Sequence, residues 1–204
     1  MATEPKTIGV FAGLLTSKGK LRLQRRTEKG SIAPGKTFKG DWELSGGRVK
    51  ETDLRETLTL EVLKKELIRE VKEELGILIE VSSNFSIYRA VYEDPEKGIC
   101  DWAFMIPIYP AYWNDNAKAK RETIDVNPDE LRELANRPKG DQLVSGWGKR
   151  MCRMSLGAFY SFDIISREKV KEMLEEVKSD WRETEYFEDA ERALAQFRRE
   201  LGLE

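Results

Sequence analysis

A long helical pattern in the middle of the chain, with strand-like segments on both sides of it, is the feature that most limits the fold. Residues 7–15, 20–25 and 42–44 before it, and 77–81, 85–92 and 102–109 after it, have the composition of strands. Within residues 52–75, apolar residues recur at spacings of three and four, and Gly76 is placed to end the helix. The apolar residues are Leu60, Leu63, Leu67, Ile68, Val71 and Leu75. This order predicts an α+β or α/β sandwich, a mixed sheet with flanking helices.

The ends of the chain add three further elements. Residues 7–15 and 20–25 are joined by a short turn and predict a hairpin, and residues 127–136 predict a short helix. After residue 163 the chain becomes highly charged and predicts two amphipathic helices, over 166–183 and 186–202. We therefore predict a domain of residues 1–162 and a C-terminal helical extension, residues 163–204, which packs on the domain or on a second subunit of a homodimer.

Composition excludes several classes of protein. The chain has 204 residues, of which 40% are hydrophobic and 35% charged, as in a soluble globular protein. Its net charge of -2 is unlike the broad positive field of proteins that bind nucleic-acid polymers, and no apolar run predicts a membrane span. Cys100 and Cys152 match no metal-ligand spacing and the N-terminus lacks a signal-peptide pattern, so we expect a reduced, cytoplasmic protein. Because the chain has no histidine, any metal site should use oxygen ligands and prefer Mg²⁺ or Mn²⁺.

One edge of the predicted central helix is acidic. At about 100° per residue, its glutamates fall within an arc of roughly 100° that borders the apolar stripe. These glutamates are Glu66, Glu70, Glu73 and Glu74. Lys65 and Lys72 lie on the other side of the helix, so like charges face each other one turn apart. The residues alone leave two interpretations open, a solvated acidic surface or a site for a divalent cation.

The same residues match a known sequence motif. The segment "REVKEELGI", Arg69–Ile77, resembles the second half of the Nudix box, and Glu61 precedes it at the expected distance. The segment "WELSGG", Trp42–Gly47, is similar to the strand and glycine pair that come before the box in that family. The resemblance covers roughly residues 7–135, and it departs from the family by an insertion of eight residues between Gly47 and Glu61.

The insertion allows two local structures. Asp53 followed by Glu56 has the pattern of a capping box, which would start the central helix about two turns early. Alternatively, the loop after the glycine pair is enlarged. The predicted role of Gly47 depends on which of the two forms.

The resemblance to the Nudix family implies an activity and a set of site residues. It implies metal-dependent hydrolysis of a nucleoside diphosphate linked to another group, X, with water attacking a phosphorus of the pyrophosphate. The residues that would hold Mg²⁺ or Mn²⁺ are Glu70, Glu73, Glu74 and Gly47. One of Glu70, Glu73 and Glu74, or a carboxylate from a later loop, would take the proton from water. Arg69 would pair with Glu61 or Glu73 to fix the helix.

Residues outside the motif supply further candidates. The family often has an additional catalytic glutamate in a later loop, for which Glu122 is the nearest candidate and Asp125, Glu93 and Asp101 compete. Arg25 and Arg26 could contact phosphate, Trp42 could stack on a base or pack in the core, and Arg150 could hold the X group or lie in a loop that leads to a final strand. The partner implied is a small nucleotide whose base and X group the sequence leaves open.

Two other functions remain possible from the sequence. A Nudix-like module could bind a nucleotide for regulation without turning it over. A structural protein could use the acidic helix as a solvated surface and the C-terminal helices for dimerisation. The first would bind metal without releasing phosphate, and the second would bind no manganese.

Overall fold

A computed structural model describes residues 7–27, 38–49, 58–94, 99–144, 150–175 and 181–200. Within them the strands are β1 (Thr7–Leu14), β2 (Leu21–Arg25), β3 (Trp42–Glu43), β4 (Ser45–Arg48), β5 (Ile87–Asp94), β6 (Ile99–Ile108), β7 (Thr123–Val126) and β8 (Trp181–Phe187). The helices are α1 (Leu60–Leu75), α2 (Pro128–Ala135), α3 (Arg150–Ser161), α4 (Arg167–Glu175) and α5 (Ala190–Glu200), with a 3₁₀ turn at Pro110–Tyr112.

The strands form two sheets. The larger sheet has the order β4-β1-β6-β5-β8, in which β1 and β6 are parallel and the other pairs antiparallel. The smaller sheet has the order β3-β2-β7 and is antiparallel. These mixed sheets with flanking helices confirm the predicted fold class.

Two apolar cores lie on opposite faces of the larger sheet, because successive residues of a strand point to opposite sides. On β1, Val10 faces the first core, which α1 and α5 cover, whereas Phe11 faces the second. The second core contains residues of the smaller sheet, α2 and α3, among them Leu23 and Phe159. Helix α1 also contacts strand β4, so its acidic edge lies beside the glycine pair, Gly46 and Gly47.

The central helix begins and ends at residues that explain its length. Thr59 has an extended backbone and its side chain accepts a hydrogen bond from the Val62 N–H at 3.2 Å, while Gly76 ends the helix at φ 70°. The predicted start at residue 52 is therefore wrong, because Thr59 caps the helix at Leu60. The proposed capping box at Asp53 and Glu56 lies outside the described residues.

Three other sequence predictions need correction. β1 and β2 form in the predicted places, but they belong to different sheets and share only the bridge Leu15–Leu21. In 77–81 the structure has an isolated bridge, Ile79–Trp113, in place of a strand, because this segment lies beside the 3₁₀ turn and outside both sheets. Where a loop leading to a strand was predicted after residue 150, α3 forms and buries an apolar face in the second core.

The C-terminal segment is only partly helical. Helices α4 and α5 form, but β8 lies between them and pairs with β5 at the edge of the larger sheet. The all-helical prediction is wrong here because the free edge of β5 offers backbone hydrogen bonds that the charged composition of this segment does not reveal. Phe197 of α5 is fully buried in the first core, so the segment packs on the domain. None of the described helices has the length and apolar character needed to cross a membrane.

Candidate active site

The carboxylate of Glu70 lies directly against the backbone of the glycine pair. Glu70 is on α1 with 17% of its side chain exposed, and Gly47 is on β4. A Cβ atom added to Gly47 would lie 2.5 Å from the Glu70 Cδ and less than 3 Å from both carboxylate oxygens. Glycine at position 47 therefore leaves the space that the Glu70 carboxylate occupies. This contact brings together two of the predicted site residues.

Glu74, one turn further along α1, is held by several donors. Its Oε2 accepts hydrogen bonds from the Gly46 N–H and the Ser45 hydroxyl, both at 3.0 Å, and from Gln24 Nε2 at 2.5 Å. Its Oε1 pairs with Arg121 Nη1 at 2.6 Å. Glu74 thus fixes the C-terminal turn of α1 against β4 and β2, a role that the motif did not predict.

Arg69 gathers the remaining glutamates of the acidic edge. Its guanidinium pairs with Glu66 at 2.7 Å, with Glu73 at 2.9 Å, and with Glu70. These partners, Glu66 first, raise the pKa of Arg69 above its usual value and keep it charged. Burial raises the pKa of Glu70, against the opposing effect of Arg69.

The predicted partners of Arg69 are half correct. Its ion pair with Glu73 is confirmed. Its predicted pairing with Glu61 is wrong, because Glu61 lies eight positions earlier in the helix, a rise of about 12 Å along the helix axis. Glu61 instead pairs with Lys64 at 3.1 Å and is 84% exposed.

The donor set fits a hard divalent cation in chemistry and in charge. Around the α1–β4 contact, the ion pairs and electrostatic contacts of the described residues join five carboxylates to three guanidinium groups. They are Glu43, Glu66, Glu70, Glu73 and Glu74 against Arg26, Arg69 and Arg121. Oxygen ligands of this kind suit Mg²⁺ and Mn²⁺.

The three predicted metal ligands do not meet at one point. Glu73 is 61% exposed and turns toward Arg69, whereas Glu74 turns inward to Ser45. Across the described ranges, no group of three or more Asp, Glu, Cys or His side chains is gathered to hold a metal ion. Metal binding by these glutamates therefore stays a prediction.

A buried acid that sequence reasoning missed lies beside this edge. Glu43 on β3 is 4% exposed, and burial raises its pKa to about 7, against the attraction of Arg26, with which it forms an ion pair. Glu74 raises this pKa further and Arg121 lowers it. Nearby, Gln24 is 1% exposed, and its Oε1 accepts no hydrogen bond from any residue that the structure describes. In the sequence, the only feature that indicated burial of Glu43 was its position between two apolar residues, Trp42 and Leu44.

The raised pKa of Glu43 predicts a specific pH dependence of stability. Below about pH 4.5 Glu43 is protonated in both the folded and the unfolded chain. As the pH rises to about 7, the unfolded chain loses the proton first and unfolding becomes more favourable by about 3 kcal/mol, after which the difference is constant. In urea unfolding with EDTA, Glu43→Gln should lack this loss between pH 5 and pH 8. Parallel profiles for the two proteins would contradict the assignment.

The predicted phosphate-binding arginines already have carboxylate partners. Arg25 pairs with Glu122 and Asp141, each at 3.0 Å, and lies over the Trp42 ring at 4.9 Å from its centroid. Arg26 pairs with Glu43. Trp42 is 3% exposed in the second core, which agrees with the packing interpretation of this residue.

The remaining candidates lie outside the acidic edge. Glu122 is 58% exposed and its carboxylate pairs with Arg25, while the adjacent Arg121 is the residue that reaches Glu74. Arg150 is the first residue of α3, and its side chain is outside the described part of the structure. The structure thus brings Gly47, Arg69, Glu70 and Glu73 together and leaves Glu122 with the Arg25 group.

Comparisons with known proteins give matches among solved structures. A MutT protein from Methanosarcina mazei Go1 is 25% identical, with a TM-score of 0.46, over 68% of this chain and 88% of that one. A MutT Nudix hydrolase from Burkholderia pseudomallei is 21% identical, with a TM-score of 0.43, over 65% and 88%. These structural neighbours are Nudix hydrolases.

A third similar structure is larger than this chain. It is a bifunctional NMN adenylyltransferase/ADP-ribose pyrophosphatase from Francisella tularensis, complexed with AMP and a manganese ion. It is 15% identical with a TM-score of 0.44, over 83% of this chain and 43% of that one. No protein-family model matches the chain, and no curated protein does.

Proposed function

We propose that this chain is a Nudix-type pyrophosphohydrolase, which hydrolyses a nucleoside diphosphate linked to another group. The residues that would hold Mg²⁺ or Mn²⁺ are Glu70, Glu73 and Glu74, with the Gly47 backbone beside them. When bound, the ion would neutralise pyrophosphate charge and lower the pKa of a coordinated water.

The observation that carries this proposal is the contact between the acidic edge and the glycine strand. Glu70 packs on the Gly47 backbone, and Glu74 accepts hydrogen bonds from Ser45 and Gly46. A solvated acidic surface would need neither contact. An edge on which the described carboxylates outnumber their guanidinium partners, next to a glycine backbone, is suited to a ligand that brings positive charge.

Each residue of the edge has a separate task in this proposal. Arg69 donates to Glu70 Oε1 and so fixes the carboxylate, while no donor reaches Glu70 Oε2 among the described contacts. Glu70 Oε2 is therefore the oxygen available to bind the ion or to accept a proton from the attacking water. The proposal assigns no role to Glu122, whose carboxylate pairs with Arg25 away from the α1–β4 contact.

A hydrolysis panel tests the proposal directly. The purified chain, with Mg²⁺ or Mn²⁺, would be incubated with ADP-ribose, nucleoside triphosphates, dinucleotide polyphosphates, nucleotide sugars and coenzyme A derivatives. Release of a nucleoside monophosphate or of inorganic phosphate or pyrophosphate from at least one class is expected, and EDTA should abolish it. A metal-dependent rise in melting temperature without product from any class would instead favour a non-catalytic binding module.

Two neighbouring glycines should respond differently to substitution. In Gly47→Ala the atoms nearest to the new methyl group are those of the Glu70 carboxylate, at the end of a flexible side chain, so the fold should survive. Displacement of the carboxylate should lower the hydrolysis rate by about 10- to 100-fold. In Gly46→Ala the methyl group would lie 2.2 Å from the Val10 carbonyl oxygen, at a residue with φ 152°. That variant should be destabilised by several kcal/mol, on the order of the cost of backbone strain and overpacking.

Thermal unfolding and activity assays separate the two effects. Gly47→Ala should have a melting temperature near that of the parent chain but a lower hydrolysis rate. Gly46→Ala should show a lower melting temperature than the parent chain. A fully active Gly47→Ala protein would show that the Glu70 position is irrelevant to turnover.

A further inference from the structure

The C-terminal segment encloses a groove far from the acidic edge. It lies between the end of α3, helix α4, strand β8 and helix α5, and its volume is about 790 Å³. This is within the size range of small-molecule sites in proteins. None of the residues that line it belongs to the α1–β4 contact. Its chemistry therefore needs a separate explanation.

One side of the groove is aromatic. Tyr160 of α3 and Tyr186 of β8 contact each other edge to face, with ring centroids 4.8 Å apart at 77°. Both are half-buried, so part of each ring faces the groove, and the buried Tyr88 lies behind them. Half-exposed tyrosine rings of this kind can stack against a planar heteroaromatic group.

The other side carries positive charge. Arg167 and Lys171 lie in the first half of α4, and Arg192 lies in the first turn of α5. All three are exposed, and none forms an ion pair with another residue in the described ranges. Arg167 and Lys171 also interact electrostatically with Glu168 of the same helix. The three cations together suit an anion with several oxygens.

The two acids of the groove offset part of this charge, so three cations face two carboxylates in its described lining. Asp189 caps α5 by accepting a hydrogen bond from the Arg192 N–H at 3.1 Å, which engages one of its two oxygens. Glu188 is exposed at the rim and also lines a neighbouring cavity of about 290 Å³ together with Tyr186. A free carboxylate there can accept hydrogen bonds from sugar hydroxyl groups.

We propose that this groove is a second ligand site, which binds a free nucleotide with its base against Tyr160 and Tyr186 and its phosphates on Arg167, Lys171 and Arg192. Glu188 is placed to accept from the ribose. A nucleic-acid polymer fits less well, because the chain has a net charge of -2, whereas proteins that bind such polymers carry a strong positive charge. This site is independent of the proposed hydrolysis.

Binding of ADP without divalent metal tests the proposal. In EDTA, where the proposed active site cannot turn over substrate, isothermal titration of the full chain with ADP should give saturable binding at one site. The double variant Arg167→Ala/Arg192→Ala should bind ADP at least about tenfold more weakly, because two charge-assisted contacts are removed. Arg132→Ala/Lys139→Ala removes the same charge on and after α2 and should change the affinity by less than about twofold.

Further arms identify the ligand class and the site. Adenosine and inorganic phosphate should each bind at least tenfold more weakly than ADP, since each offers half of the contacts. ADP binding is measured in EDTA, without the ion on which the proposed hydrolysis depends, so its outcome is separate from that of the hydrolysis panel. The proposal is overturned if ADP does not bind, or if the groove variant and the control lose equal affinity.

Discussion

Replacing Glu70 by glutamine is expected to lower the rate of nucleotide hydrolysis by about 10³-fold, the loss typical of removing one charged group from a preorganised catalytic site. Glutamine has the size of glutamate, so the packing against Gly47 is kept. What is lost is the negative charge on a carboxylate that lies half-buried on the glycine strand and is oriented by Arg69. Initial rates on the best substrate of the panel, with Mg²⁺ and with Mn²⁺, provide the measurement.

The choice of Glu70 over Glu74 follows from the structure. Glu74 accepts hydrogen bonds from Gln24, Ser45, Gly46 and Arg121, so Glu74→Gln would disturb the attachment of α1 as well as any metal site. Glu133→Gln, an exposed position on α2, is the matched control and should retain full activity. Undiminished turnover in Glu70→Gln would refute the assignment of the acidic edge as the active site.

Replacing Glu200 by glutamine at the end of α5 is expected to destabilise the fold. Arg89 is 1% exposed on β5, with its guanidinium 4.7 Å from the Trp102 ring centroid and 4.1 Å from that of Phe197. Glu200 pairs with it at 2.6 Å. Loss of one partner from a buried ion pair costs about 3–5 kcal/mol, and because Glu200 is 32% exposed we expect about 2 kcal/mol.

A double-mutant cycle isolates this interaction. Urea unfolding would compare Glu200→Gln, Arg89→Met and the double variant, and the double variant should lose at least about 1 kcal/mol less than the sum of the single variants. Glu191→Gln, an exposed position on the same helix, should change stability by no more than about 0.5 kcal/mol. Strict additivity would mean that Arg89 does not depend on Glu200.

The acidic edge could be predicted from the sequence because it is local. Glu66, Glu70 and Glu74 are one helical turn apart, so their common edge follows from the helix period alone. The apolar stripe beside it likewise predicted the buried face of α1, including Leu67 and Val71. The fold class followed from the alternation of strand and helix patterns along the chain.

The partners of that edge could not be predicted, because they come from distant parts of the chain. Gln24, Glu43 and Arg121 lie on or beside three different strands and have no common spacing. The strand β8 was missed for the same reason, since its pairing depends on the free edge of β5. Interactions between strands are set by sheet order, which local pattern does not encode.

The sequence by itself determined the length of the apolar stripe, the acidic edge, the glycine pair and the absence of histidine, since these are properties of neighbouring residues. Only the tertiary structure decided that Glu70 rests on Gly47, that Glu43 is buried beside Arg26, and that Arg89 is enclosed by α5. Each of these contacts joins separate segments of the chain. Burial there changes the free energy of an ionised side chain and the ligands that it can bind.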